Sequence, residues 1–203
     1  VLFAGKINKP KFSSLKLDFK GLYYIPKIIK ASKLGDAAIL KEIINILTKE
    51  KINVVSSIAY NPELALSKGN HTKLKPTVDD ILNIKKGIRS LNSLNAHNHV
   101  QGLVVRNSIV IAMETLKGTK KMLRSLKKKK NIKSLLIKFP KKKQDLRIDL
   151  PTIGLDTLKD CKNYGIKGIV LKSKQNIFLN KVKCLKFANQ NNIFITVKWK
   201  RYL

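Results

Sequence analysis

The sequence is poor in cysteine and has no long apolar run. Only two cysteines occur among the 203 residues, Cys161 and Cys184, without the spacing of a zinc or thiol-redox motif. We therefore expect two reduced, buried thiols in a cytoplasmic protein. Lysine or asparagine interrupts every apolar stretch before it reaches the length of a membrane span. The chain opens on Val1–Gly5 without a Met, which predicts a strand entered midway and a missing amino terminus, not a signal peptide.

Acidic residues are also scarce. The chain has 12 aspartates and glutamates against 43 lysines and arginines, a formal net charge of +31. Such a charge attracts polyanions, which include nucleic acid, anionic lipid and phosphorylated substrates. The lysines are scattered along the whole chain, which is also rich in asparagine and isoleucine, so a general compositional drift is preferred to a selected binding face. The hydrophobic share of 43% predicts a folded core.

The first 62 residues have the pattern of an α/β unit with a parallel sheet. An apolar strand at Val1–Ala4 is followed by the mixed apolar and basic run Leu22–Ala31, where a helix is expected after Pro26, and by a second helix over Ala37–Lys49. Asp36 is well placed to cap the second helix, and the β-branched run Ile52–Ser56 predicts a strand. Strand, helix, helix and strand in this order predict part of an amino-terminal α/β domain.

Residues 63–203 predict a complete carboxyl-terminal α/β domain. A polar linker or edge loop over Gly69–Pro76 precedes a helix that Thr77 is expected to cap. The β-rich runs Val100–Arg106 and Ser108–Met113 predict a hairpin. The remaining predicted elements are helices at Thr119–Leu126, Leu155–Tyr164 and Asn180–Gln190, and strands at Leu135–Lys138, Ile169–Leu171 and Ile193–Val197.

The most informative segment follows the predicted strand at 135–138 and runs from Gln144 to Gly154, with Asp145 and Asp149 on either side of Arg147. Loops placed by a rigid sheet are where functional groups usually lie. Carboxylates there can hold a hard divalent cation such as Mg²⁺, while Arg147 clamps phosphate oxygens. On chemistry alone, a loop in which both aspartates pair with Arg147 is the simpler interpretation, because the pattern is weak.

Two other groups of residues have simpler interpretations than a functional site. His97 and His99 alternate and would share a face of a strand, but they lack a third metal ligand, so a surface role is preferred. The basic tail at Lys198–Arg201, with Trp199 and Tyr202, could contact an anionic membrane surface, although terminal fraying is simpler.

The segment Gln144–Thr157 resembles the signature of the UDP-2,3-diacylglucosamine pyrophosphatases of lipid A biosynthesis, the type unrelated to calcineurin-like phosphoesterases. The resemblance runs from Val1 to about Val197. Supporting similarity is found at Ala4–Ile7, Pro10, Gly35-Asp36, Gln101–Val105, Ile111–Glu114, Gly118-Thr119, Gly165–Ile169 and Ile193–Ile195.

The resemblance implies a reaction and a set of site residues. Members of this family, found in Gram-negative bacteria, hydrolyse UDP-2,3-diacylglucosamine to UMP and 2,3-diacylglucosamine 1-phosphate and need a divalent cation, here Mg²⁺. Asp149 is the first choice for the essential carboxylate and Asp145 the second, with Glu114 joining them as a metal ligand. The expected substrate-binding residues are Gln144, Arg147, Thr152, Gly154, Gln101 and Thr119. The expected partner is the UDP-linked diacyl sugar, with peripheral contact to the inner membrane, no specific nucleic acid, and a homo-oligomer compatible with the sequence.

The sequence departs from the family pattern near the expected cation. The family has an acid on each side of the Gly-Thr pair at 118–119, where this chain has Lys117 and Lys120, and Asn98 replaces an aspartate. If those acids bind metal, this chain has lost a ligand. Two alternatives stay open: a basic nucleic-acid-binding protein, for which no recognisable motif is present, and a folded but inactive homologue.

Overall fold

The structure, a computed structural model, describes residues 1–3, 15–94, 100–126, 133–141 and 144–198, except the side chains of residues 36 and 37. The chain divides into two compact units, Val1–Tyr60 and Asn61–Leu203. No helix of the described part is both long and apolar enough to cross a membrane.

The first unit is mainly helical. Helix α1 spans Phe19–Ser32, α2 spans Asp36–Lys49 and the single turn α3 spans Ser57–Tyr60. The strands predicted near each end of this unit are reduced, among the described residues, to one parallel bridge between Leu2 and Val55. The parallel direction agrees with the α/β pattern.

The starts of the two long helices in the first unit differ from the prediction. The Asp18 side chain accepts a 2.7 Å hydrogen bond from the Gly21 amide and so starts α1 early, which leaves Pro26 inside the helix. The prediction that Asp36 caps α2 is wrong by one residue. Gly35 is the N-cap at φ +103°, a conformation that favours glycine, and Asp36 is the first helical residue.

The second unit is an α/β domain built on a six-stranded mixed sheet in the order β1-β8-β6-β4-β2-β3. The strands of this sheet are β1 (Gly69–Asn70), β2 (Gly102–Arg106), β3 (Ile109–Met113), β4 (Ser134–Lys138), β6 (Ile166–Lys172) and β8 (Phe194–Lys198). A small parallel pair is formed by β5 (Thr152–Ile153) and β7 (Ile177–Phe178). The helices are α4 (Val78–Ser93), α5 (Gly118–Arg124), α6 (Leu155–Asn163) and α7 (Lys181–Gln190), and a 3₁₀ turn covers Pro62–Leu64.

The strand directions show which strand ends lie at the same edge of the sheet. β4, β6 and β8 are parallel, whereas β2 runs antiparallel to β4 and forms the predicted hairpin with β3. The polar segment expected to be a linker or edge loop contains β1, which pairs with β8. Thr77 caps α4 as predicted, in a capping box with Asp80.

Both faces of the central strands β2, β4, β6 and β8 are buried. On one face, Ile84 and Ile88 of α4 pack on alternate residues of the central strands. On the other face, α5, α6 and α7 pack on the intervening residues, and Cys161 and Cys184 lie in this core as free, buried thiols, as predicted. Burial raises the pKa of the Cys161 thiol well above its ordinary range. Strands covered on both faces explain the continuous apolar runs in their sequences.

Candidate active site

Several of the residues singled out in the sequence precede or follow strands that meet at one edge of the sheet. The parallel strands β4, β6 and β8 end at this edge, and the antiparallel strand β2 begins there. Gln101 precedes β2, and its carbonyl accepts a 2.8 Å hydrogen bond from the Phe139 amide just after β4. Glu114 follows β3, and its amide donates to the Gly102 carbonyl at 2.8 Å. Ligands of open α/β sheets bind outside the carboxyl ends of strands, so this edge is the candidate active site.

Glu114 forms a buried polar cluster with Thr119 and Lys138. The Thr119 hydroxyl donates a 2.8 Å hydrogen bond to Oε1 of Glu114, and the Lys138 ammonium lies 3.7 Å from the same oxygen. The Lys138 ammonium also donates to the Thr119 hydroxyl. The predicted residues Glu114 and Thr119 are thus in direct contact, and the structure adds a lysine that the sequence did not single out.

The position of Lys138 follows from the two-residue period of β4. Ser134, Leu136 and Lys138 alternate onto the face of the sheet that α5, α6 and α7 cover, so the last of them points inward and is buried. Burial lowers the pKa of Lys138, and the neighbouring Glu114 carboxylate offsets part of this effect. A buried ammonium next to a buried carboxylate, at the carboxyl ends of parallel strands, is typical of a functional site.

Gly102 makes room for the Glu114 carboxylate. A Cβ atom at this position would lie 3.0 Å from Oε2 of Glu114. That oxygen is buried and has no hydrogen-bond partner in the described part of the chain. An unpaired buried polar group costs about 1–3 kcal/mol, so Oε2 is a candidate contact for a ligand.

The two predicted aspartates differ in their surroundings. The Asp145 carboxylate accepts hydrogen bonds from Nε and Nη2 of Arg147, the shorter at 2.7 Å, and from the Arg147 amide at 3.0 Å. These bonds from Arg147 lower the pKa of Asp145. Asp149 closes the turn by donating its amide to the Asp145 carbonyl at 3.0 Å, and no bond of its half-buried carboxylate occurs among the described residues. The simpler interpretation, an aspartate paired with Arg147, therefore holds for Asp145 and not for Asp149.

Gln144 lies in the same loop with its amide group oriented. Its Oε1 accepts a 2.8 Å hydrogen bond from the Lys141 amide. Its Nε2 is consequently a donor, which is buried and unpaired in the described structure. Gln144 and Arg147 were both predicted to bind substrate. Arg147 already uses two of its guanidinium nitrogens on Asp145, so Gln144 is the better placed of this pair to donate to a ligand.

Ser173 and Asn176 follow β6 and were missed by sequence reasoning. The buried Asn176 amide accepts from the Lys172 amide at 2.9 Å and donates to the Lys138 carbonyl at 3.0 Å, which ties the ends of β6 and β4 together. The Ser173 amide donates to the Lys198 carbonyl at 3.0 Å, which ties the end of β6 to β8. Their position directly after a buried strand is the signal that could have identified them.

Thr152 and Gly154 lie further along the same segment. The Thr152 hydroxyl donates to the Leu150 carbonyl at 3.2 Å, and Gly154 is the N-cap of α6. Neither is hydrogen-bonded to the Glu114 cluster among the described residues, and their roles stay predictions. Lys117 and Lys120 are exposed on either side of the Gly-Thr pair that begins α5. Asn98, His97 and His99 lie outside the described residues.

Comparison with known proteins assigns this arrangement to a family. A family model of the LpxI C-terminal domain matches residues 67–196, and a model of the LpxI N-terminal domain matches residues 1–64. The chain belongs to the LpxI family. The UDP-2,3-diacylglucosamine pyrophosphatase LpxI of Caulobacter vibrioides is 29% identical over an alignment of 203 positions, which covers 96% of this chain and 72% of that protein. The family resemblance inferred from the Gln144–Thr157 segment is confirmed.

In this LpxI chain the carboxylates expected to bind a cation are not assembled into a cage. No group of three or more His, Cys, Asp or Glu side chains that could hold a metal ion occurs in the part of the chain that the structure describes. Glu114 already faces the Lys138 ammonium, and Asp145 already faces Arg147. Only Asp149, of the three predicted ligands, has a carboxylate without a basic partner among the described residues. These residues do not by themselves fit a resident metal ion.

Proposed function

We propose that this chain hydrolyses the pyrophosphate bond of UDP-2,3-diacylglucosamine, giving UMP and 2,3-diacylglucosamine 1-phosphate for lipid A biosynthesis. Similarity to a pyrophosphatase of that name over 96% of the chain carries the proposal. The matches to both family domains support it, because the C-terminal match includes the strand ends that Gln101, Glu114 and Gln144 follow or precede. Contact with the inner membrane surface and self-association stay predictions.

The proposed reaction needs an attacking water, a proton acceptor and positive charge near the leaving phosphate. The water oxygen forms a bond to one phosphorus, the bond from that phosphorus to the bridging oxygen breaks, and the leaving phosphate takes the electron pair. We assign the proton acceptor to Asp149, because its carboxylate is half-buried and unpaired among the described residues, whereas Asp145 is fixed by Arg147. The positive charge comes from the lysines that end β4, β6 and β8, namely Lys138, Lys172 and Lys198.

Cation dependence stays a separate prediction. Mg²⁺ commonly binds one or two carboxylates together with substrate phosphates and water, so an incomplete protein cage is compatible with a cation that arrives with the substrate. The roles assigned above to the side chains do not depend on it. An assay with added Mg²⁺ and with a chelator decides this part of the proposal.

The test is UMP release from UDP-2,3-diacylglucosamine, measured by chromatography for the wild type, Asp149→Asn and Asp145→Asn. We expect Asp149→Asn to lower kcat about 10²–10⁴-fold, the usual contribution of a general base. The matched control Asp145→Asn changes an aspartate of the same loop whose pair with Arg147 is largely exposed, and we expect a loss of less than about tenfold.

Two results would contradict the proposal. The absence of UMP release from a folded wild-type protein, with and without Mg²⁺, would favour the inactive homologue. Equal losses in the two variants would remove the assignment of Asp149, because they would indicate general disturbance of the loop. Tight binding of unrelated RNA that persists at high salt would instead favour the nucleic-acid alternative.

A further inference from the structure

Unpaired buried polar atoms are confined to one region of the described structure. The three side-chain atoms that are buried without a hydrogen-bond partner are Glu114 Oε2, Gln144 Nε2 and Ser173 Oγ. They follow β3, β4 and β6 respectively, and these strands end at the same edge of the sheet. Buried polar groups are almost always paired in folded proteins, so a cluster of exceptions indicates groups kept for a ligand.

Two of these atoms are hydrogen-bond donors that their surroundings hold in place. The bond from the Lys141 amide to Oε1 of Gln144 leaves the amino group of that side chain facing away from the turn. Ser173 is 7% exposed, and its backbone amide is bonded to the Lys198 carbonyl at 3.0 Å. The side-chain amide of Asn176 joins the end of β4 to the end of β6. Ser173 therefore follows a strand end that hydrogen bonds fix, and the Gln144 side chain is held by its own bond to the Lys141 amide.

The charge at this edge identifies the kind of ligand. Each of the parallel strands β4, β6 and β8 ends on a lysine, namely Lys138, Lys172 and Lys198. Lys172 and Lys198 are direct neighbours in the register of the sheet, and Lys138 is one position away from them, opposite Leu171. Because side chains alternate along a strand, the Lys138 side chain lies on the opposite face of the sheet from those of Lys172 and Lys198. Donors without acceptors, at an edge with basic residues on both faces, favour a ligand with several acceptors and a negative charge.

We propose that Gln144 Nε2 and Ser173 Oγ donate hydrogen bonds to phosphate oxygens of the substrate, in an anion subsite between the ends of β4 and β6. Phosphate oxygens are acceptors only, so a pyrophosphate group offers acceptors for both donors. The identity of the anion rests on the proposed function, while the donor pair itself does not. Glu114 Oε2 is an acceptor, and it faces a water or a hydroxyl of the ligand instead of the anion.

The experiment is titration calorimetry of inorganic pyrophosphate into the full chain, without added divalent cation and at near-physiological salt to suppress non-specific attraction. The variants are Ser173→Ala and Gln144→Glu. We expect Kd to rise roughly tenfold for Ser173→Ala, because one charge-assisted hydrogen bond is lost. We expect a larger rise for Gln144→Glu, which replaces a donor by a negatively charged acceptor of the same shape.

Stability separates binding from a structural role. Ser173→Ala removes a hydroxyl that has no described partner, so the unfolding midpoint should stay the same or rise. The matched control is Ser134→Ala, at the opposite end of β4. Ser134 is fully buried, and its hydroxyl accepts a 2.8 Å bond from Nε of Arg106. We expect Ser134→Ala to lower the midpoint and to leave Kd unchanged.

The outcomes distinguish this inference from the proposed function. Unchanged pyrophosphate affinity in Ser173→Ala and Gln144→Glu would overturn the subsite, even if the wild type releases UMP. A similar loss of affinity in Ser134→Ala would also overturn it, because loosening of the sheet would then explain the effect. Selective weakening in the two site variants supports the subsite, even if the wild type does not hydrolyse UDP-2,3-diacylglucosamine.

Discussion

The ion pair between Lys138 and Glu114 is the most sensitive point of the candidate site. Each side chain is 8% exposed, and Nζ of Lys138 lies 3.7 Å from Oε1 of Glu114. At that separation, and at an effective dielectric constant of about 20, the attraction is about 4 kcal/mol before desolvation is counted. In Lys138→Met the Glu114 carboxylate keeps its bond from Thr119 and loses its counter-charge. We expect the free energy of unfolding to fall by about 3–5 kcal/mol, the usual effect of breaking a buried pair.

Urea unfolding at neutral pH measures this loss in a double-mutant cycle of Lys138→Met, Glu114→Gln and the two together. The double variant has no buried charge at this position, so it should be more stable than Lys138→Met, with a coupling of about 1–3 kcal/mol. Losses that simply add in the double variant would refute the reasoning, because the two side chains would then not interact. A loss below about 1 kcal/mol in Lys138→Met would refute it as well, since that is the range of an exposed pair.

Two further predictions concern the sheet and its helix. Gly168 pairs in register with Phe194, and a Cβ atom at Gly168 would lie 2.1 Å from the Phe194 ring. Gly168→Ala should therefore lower the free energy of unfolding by about 3 kcal/mol or more through overpacking. An unchanged urea midpoint would contradict this. Burial alone would raise the pKa of Asp80, but hydrogen bonds from Lys167 and from Thr77 together lower it. The unfolded chain therefore binds more protons in the acid range, so the free energy of unfolding should fall as the pH drops below the ordinary carboxyl pKa. The fall should be less steep in Asp80→Asn. Equal slopes of the unfolding free energy between about pH 2 and pH 6 in the two proteins would contradict this.

The sequence predicted the elements whose signals are local. The hairpin of β2 and β3 and the Thr77 cap of α4 each depend on residues close in the chain, and both were placed correctly. The two-residue strands β1, β5 and β7 were missed, because pairing alone defines them and their partners are distant in sequence. Thr152 and Ile153 of β5, for example, pair with Ile177 and Phe178 of β7, about 25 residues later in the chain.

The candidate site was predicted in part. The structure places Gln101 before β2, Glu114 after β3 and Gln144 after β4, while their functional roles stay predictions. Spacing alone could not tell Asp145 from Asp149, since both flank Arg147 at equal spacing, and only the family resemblance placed Asp149 first. The turn decides it: Arg147 folds back on Asp145 with its backbone amide and its guanidinium, and this leaves Asp149 without that partner.

The large number of basic residues makes it hard to identify a functional lysine from the sequence. In a chain with 43 basic residues, no single lysine stands out in the sequence. Lys138 differs from the others only because the period of β4 turns it toward α5–α7, where burial lowers its pKa and Glu114 lies within reach. Ser173 likewise has no motif and is distinguished only by an unpaired hydroxyl after β6. Since both depend on burial at a strand end, measurements on Lys138→Met and Ser173→Ala test the part of the site that only the fold defines.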